Sequence, residues 1–368
     1  MTTSSATVRF PDGSRWSCCS SGDCCRGFDF GPVEPEIISG LQSRDIESHW
    51  APAAEAPWHE RRTDPKGGEA FFLTKRDEHC VFLRDDNLCA VHALFGAEAK
   101  PAFCREYPFH VVEDTRGLVV VARADCGGFH RSFLDGQPIA EQVDAVLALP
   151  AFHPRRQFVP DQVVILPTAA VSVDDWMALE AVLLPQLDRQ RSAPEAAVAH
   201  LRFLLHDLVN RKPPTPDSSC YRSAMEALLR MLATTLDRLA GDQQPDAAYG
   251  GDLAREVAQA ATRALDGLSA PLPPLDPHAV DYLHLILRSD LMSKQFQVVG
   301  GVPCGLGLHL LSATLARLGT NATHGGPLTP TDLGRVMPKW KRLSLHGAIL
   351  EALRHARPAL ADLFLHVG

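Results

Sequence analysis

The stretch Trp16-Ser17-Cys18-Cys19-Ser20-Ser21-Gly22-Asp23-Cys24-Cys25-Arg26 governs how the rest of the chain is read. Four thiols fall within eight residues on either side of a Gly-Asp turn, a density that the packing of small apolar side chains does not explain. Outward from it come Cys80, Cys89, Cys104 and Cys126, while the long remainder holds only Cys220 and Cys304. Thiolates are soft ligands for zinc and for iron–sulfur iron, and each centre needs about four of them close in space. The first third therefore reads as a metal or iron–sulfur module. Its pool of candidate ligands is Cys18, Cys24, Cys25, Cys80, Cys89, Cys104 and Cys126. The spacing does not choose between zinc and iron, nor between one site and two. Neighbours such as Cys24-Cys25 suit disulfides badly, because adjacent residues do not easily reach the required geometry.

The bulk numbers narrow the context. A chain of 368 residues, 45% hydrophobic and 22% charged, has enough apolar material for two domains, or for one large domain with an extension. A net charge of −8 argues against a nucleic-acid partner, since phosphate contacts need a basic face. No apolar run is long enough for a membrane span, so no membrane partner is expected. The opening residues show no basic segment followed by an apolar core, which makes the cytoplasm the expected compartment. Thiols stay reduced there, and clustered cysteines serve metals more often than disulfides. An exported disulfide protein is the competing reading.

Taken in order, residues 4–10 suggest a short strand before the Pro11-Asp12-Gly13 turn, and 32–41 a helix start with early prolines and acids. Residues 51–69, rich in Pro, Ala and Gly, read as a loop. Phe71–Leu73 and Cys80–Leu83 are expected to pair around a charged turn. Phe109–Val112 and Leu118–Ala122 form a hairpin that would let Cys104 and Cys126 meet. Val163–Leu166 is the last strand expected. Beyond it the apolar residues recur at helical spacing, starting at the Ser172–Asp175 cap and broken by Pro-rich linkers near 212–216 and 268–277. The expected fold is α+β: a cysteine-cluster domain over 1–165 and an all-α helical domain over 166–368.

A family resemblance rests on the order of the motifs. Cys18-x2-Ser21-Gly22-Asp23-Cys24-Cys25-Arg26, Cys80-x-Phe82-Leu83, Asp86-Asn87-Leu88-Cys89-x2-His92 and Lys100-Pro101-x2-Cys104-Arg105-x-Tyr107-Pro108-Phe109 follow one another over roughly residues 16–128. This resembles a cysteine-cluster family described as zinc- or iron-chelating, whose usual pattern is CxxCGxCC, CxFL, GxCxIY and RPxxCRxFPF. Ser21 stands where that pattern has its second cysteine and Cys19 is extra, which leaves open the ligand from this loop. Lys100 replaces the arginine, keeping charge but losing bidentate anion binding. Longer members with a helical second half resemble flagellin lysine-N-methylases. The resemblance implies an iron–sulfur cluster (4Fe–4S), S-adenosylmethionine as methyl donor and a protein substrate such as flagellin. A non-enzymatic metal-binding or accessory protein with a partner-binding helical half is the alternative, and a redox protein is a third.

Other features have simpler expectations. Gly300–Gly307 is glycine-rich, but a helix precedes it where a nucleotide loop follows a strand, so it reads as a helix–turn–helix junction. Cys220 and Cys304 are expected to be small buried residues. His92 has ligand-like spacing after Cys89 but is expected to be core or surface. His79, His110 and His130 flank cysteines. Tyr107-Pro108-Phe109 is expected to seal the cluster from solvent, and Lys339-Trp340-Lys341-Arg342 to begin a solvated helix. Asp85-Asp86 and Asp174-Asp175 fit a turn and a helix start. No catalytic residue emerges from spacing alone.

Overall fold

A computed structural model describes residues 7–26, 29–63, 68–77, 79–148, 161–189, 191–241, 251–323 and 325–368. Ser4 to Ala6 of the expected first strand, and residues 64–67 of the expected loop, lie outside the described residues. The architecture is mixed, with small sheets and many helices. Buried apolar side chains gather into two clusters. The smaller includes Phe30, Ile38, Leu41, Trp58, Phe82 and Val91 together with Cys25 and Cys80, whereas the larger runs from Val111 to Val367.

The hairpin Phe109–Asp114 and Gly117–Ala122 forms as its alternation predicts, with Phe109 opposite Ala122 and Asp114 opposite Gly117. Val8–Arg9 adds a short parallel strand along Leu118–Val119. Gly117 takes a φ of 119° with the Thr7 carbonyl against the position a Cβ would fill, so glycine is required there. Val119 and Val120 are fully buried, and the hairpin belongs to the larger cluster.

The segment expected as a loop over 51–69 differs. Ala51–Glu55 is a helical turn, and His59–Thr63 is a strand paired antiparallel with Glu69–Leu73, Glu60 facing Phe72. The strand is held by side chains that composition does not reveal. Trp58 is buried, while the guanidinium groups of Arg61 and Arg62 lie over the rings of Phe71 and Phe72 at 5.1 and 5.0 Å. Phe71–Leu73 is thereby taken, and Cys80 lies instead in a tight hairpin formed by Lys75–Arg76 and His79–Cys80.

Gln162–Leu166 pairs with Ala169–Ser172, a strand beyond the last one expected, and the 165/166 division falls inside this hairpin. Ser172 then caps the helix Val173–Arg189, its hydroxyl accepting from the Asp175 amide at 3.1 Å. The next helix, Pro194–Leu208, has Ala193 at its cap with no side-chain bond and Pro194 at its first position. Pairs of long helices follow: Ser218–Gly241 against Gly251–Gly267, and Val302–Gly319 against Arg357–His366. Val302–Gly319 is buried on nearly every side, as expected of a helix apolar all round. Gly307 lets the Leu360 backbone pack directly on it.

A charged knot joins hairpin and helices. Lys294, wholly buried, donates to Asp114 at 2.7 Å and to Glu180 at 3.3 Å. Arg9 pairs with both carboxylates, and Arg116 donates to Glu180 at 2.6 Å. Burial alone would raise the Asp114 carboxyl, but the hydrogen bond and charge of Lys294, with the Arg116 amide and Arg9, hold it below the usual range.

Candidate metal centre

Five of the seven candidate thiols converge. Cys24, Cys25, Cys80, Cys89 and Cys104 line one small cavity whose remaining walls are Leu73, Phe82, Val91, Pro101 and Lys100. They arrive from four separate segments. Gly22, left-handed at φ 71°, bends the chain into the short 3-10 turn Asp23–Cys25, closed by the Cys25 amide donating to the Gly22 carbonyl at 2.9 Å. The Sγ atoms of Cys24 and Cys25 stand 3.8 Å apart.

Arg26 ties this turn to its neighbours, donating to the Ser21 carbonyl at 2.9 Å and to Asn87 Oδ1 at 2.6 Å. Asn87 lies in the expected turn between the Cys80 hairpin and Cys89, and Leu83 and Cys89 form an isolated bridge. Cys89 precedes the helix Ala90–Phe95. Cys104 comes from the short helix Ala102–Glu106, whose first amide, from Ala102, donates to Glu34 Oε1 at 2.9 Å.

The electrostatics of the cavity are those of crowded thiols with one cation. Burial pushes the Cys89 and Cys104 thiols up, and the Lys100 ammonium works against it. Cys24 is pushed up by its hydrogen bond with Cys25 and by burial, again opposed by Lys100. Cys25 is lowered by the bond to Cys24 but raised more by Cys80 and burial, for a net rise. Cys24, Cys25, Cys89 and Cys104 are thereby all held toward the protonated thiol, and any metal must displace those protons. Among the described residues, no group of three or more His, Cys, Asp or Glu side chains is set to hold a metal ion as it stands. The donor set nonetheless fits a thiolate centre in kind and number: five soft sulfurs, apolar walls and a single neighbouring cation.

The other two candidates lie elsewhere. Cys18 is exposed, next to a half-buried Cys19 whose thiol faces the Ser17 carbonyl at 3.6 Å. Cys126, expected near Cys104 at the base of the hairpin, is buried in the larger cluster and does not line the thiol cavity. Burial pushes its thiol up to about 11, against the opposing hydrogen bonds of the Trp16 indole and the Phe129 and Gly128 amides. Cys304 is buried as expected, whereas Cys220 is exposed on the first turn of its helix, beside Asp217 at 3.3 Å.

None of the flanking histidines lines the thiol cavity. His92 is exposed, His110 pairs with Gln295 at 3.2 Å, and burial brings His130 down to about 4. Tyr107 and Phe109 pack on the larger cluster and do not seal the thiols. Phe109 meets Trp16 edge-on at 5.3 Å, and Arg123 lies over the Tyr107 ring.

Within the expected solvated run 339–342, Lys339 keeps its side chain 42% exposed, but Trp340 is fully enclosed and Arg342 is at 4% exposure. Arg342 donates to the Arg26 carbonyl at 2.8 Å and to the Asp125 carbonyl at 2.9 Å. It thus fastens the cysteine turn to the helices. Nothing local in Lys-Trp-Lys-Arg announces such a role, because both partners are distant carbonyls. Comparison with family models, characterised proteins and solved structures returns no match.

Proposed function

We propose that this chain is a thiolate metal-centre protein in which Cys24, Cys25, Cys80, Cys89 and Cys104 hold an iron–sulfur cluster. The supporting observation is the convergence of five thiols from four segments on one otherwise apolar cavity. Bound there, the centre would supply electron transfer or a lock on the loop-rich first third. The chain's own contribution is positioning. Arg26 holds the cysteine turn against the Asn87 turn, Glu34 orients the Cys104 helix, and Lys100 offsets the negative charge of the thiolates. Five donors exceed the four that a 4Fe–4S cluster uses, and adjacency makes either Cys24 or Cys25 the spare.

The motif resemblance extends this reading to protein-lysine N-methyl transfer from S-adenosylmethionine, with flagellin as the type of substrate. Without that activity, the chain is a non-enzymatic metal-binding or accessory protein whose helical half binds a partner, or else a redox protein. Anaerobic purification followed by an absorption spectrum and analysis of iron, sulfide and zinc tests the centre. A broad band near about 400 nm with iron and sulfide together is expected. Colourless protein carrying zinc alone would replace the cluster with a structural zinc site. Thermal stabilisation by S-adenosylmethionine tests the methyl-transfer extension separately, because only a ligand of the folded state raises the midpoint.

A further inference from the structure

A cavity of about 320 Å3 lies between the 109–122 hairpin and the helices, apart from the thiols. That is within the range of small-molecule sites, roughly 300–1,000 Å3. Its floor is apolar, with the rings of Phe129 and Phe296 and the side chains of Ile286 and Leu306. Two ion pairs stand on its wall. Arg123 and Asp125 are already joined in a two-bond fork, at 3.0 and 2.5 Å, and the Arg123 guanidinium also lies over Tyr107. Lys341 and Asp290 are joined by one bond, at 2.6 Å, with their side chains 14% and 31% exposed. An ammonium has three donors and a carboxylate about four acceptor positions. Among the described residues this pair uses one bond of each.

We infer that this cavity binds a small zwitterion of the α-amino-acid type, its apolar side chain on the Phe129–Phe296 floor and its two charges laid antiparallel on the Asp290–Lys341 pair. The physical reason is local. An ion pair on a largely apolar wall is half-desolvated, and its own two fields nearly cancel. A ligand bearing a single charge gains one attraction and meets one like charge beside it. A zwitterion with charges spaced like those of the pair gives each of the four groups a second opposite partner, completing a closed quartet of charge-assisted hydrogen bonds. The remaining volume takes an apolar side chain, and its burial supplies affinity. This inference stands on the cavity alone and is independent of the thiol centre.

The test is titration calorimetry on the full chain with L-phenylalanine, L-methionine and L-leucine. Alongside go 3-phenylpropionate, which lacks the ammonium, and phenethylamine, which lacks the carboxylate. Saturable one-site binding is expected for at least one amino acid, with about tenfold or more loss for the analogue missing either charge. Asp290→Asn and Lys341→Gln should each weaken it by a similar factor with the thermal midpoint largely kept. Ala124→Phe, which puts a ring into the cavity from its wall, should abolish it. No binding by any of the three amino acids would overturn the inference. So would equal binding of the singly charged analogues, or an affinity unmoved by Asp290→Asn and Lys341→Gln.

Discussion

His309 lies at 2% exposure in the helix Val302–Gly319, and its Nδ1 finds no hydrogen-bond partner among the described residues. Burial, helped by the charges of Lys341 and His284, brings its pKa down to about 3. The unfolded chain takes up this proton near the ordinary histidine value of about 6.5, well before the folded chain does. Stability from this residue is thus complete above that pH and is lost as pH falls toward 3, at roughly 1 kcal/mol per pH unit. His130, brought down to about 4 by burial, acts in the same direction. Replacing His309 with Gln should flatten the acid side of the stability curve. Urea unfolding midpoints between pH 4 and 7 measure it, and an unchanged slope would mean that His309 is not a buried neutral group.

The elements meet through the charged knot at Lys294, where the strand Val8–Arg9, the hairpin and the helix Val173–Arg189 all contribute. Three cations face two carboxylates, and Asp114, Glu180 and Lys294 are essentially without solvent. Removing one member of a buried pair leaves the other's desolvation uncompensated, a loss of about 3–5 kcal/mol. Here Arg9 and Arg116 remain beside the carboxylates, so Lys294→Met should cost somewhat less, about 2–3 kcal/mol. Combined with Asp114→Asn, its effect should be clearly non-additive, because the two groups share a bond. Chemical denaturation of the two single variants and the double variant gives the coupling, and simple additivity would deny the pair its role.

The same elements show what the sequence made legible. Helices from Val173 onward and the 109–122 hairpin follow from periodicity, since each buries one continuous stripe or face. His59–Thr63 was hidden because Arg61 and Arg62 look solvated until Phe71 and Phe72 lie beneath them.

For the whole molecule, the question is what keeps the cysteine turn seated on the helical body. Arg342 does much of this, through the Arg26 and Asp125 carbonyls and with Asp23 at 4.0 Å. Hydrogen bonds to a charged group contribute about 1.5–3 kcal/mol, so Arg342→Met should destabilise by about that amount. It should also raise hydrogen exchange in residues 22–26 more than in the 109–122 hairpin, and uniform exchange would show that Arg342 is not the fastening. The candidate site was legible in part. Cys24, Cys25, Cys80, Cys89 and Cys104 converge, while Cys18 and Cys126 share the residue type but not the place, a difference that spacing alone does not carry. Serine substitution of each of the seven, with metal per chain measured after anaerobic purification, tests the claim most directly. Cys80→Ser, Cys89→Ser and Cys104→Ser should lose the metal, and Cys18→Ser and Cys126→Ser should keep it. Metal retained in the first three and lost in the last two would contradict a centre held by these five thiols.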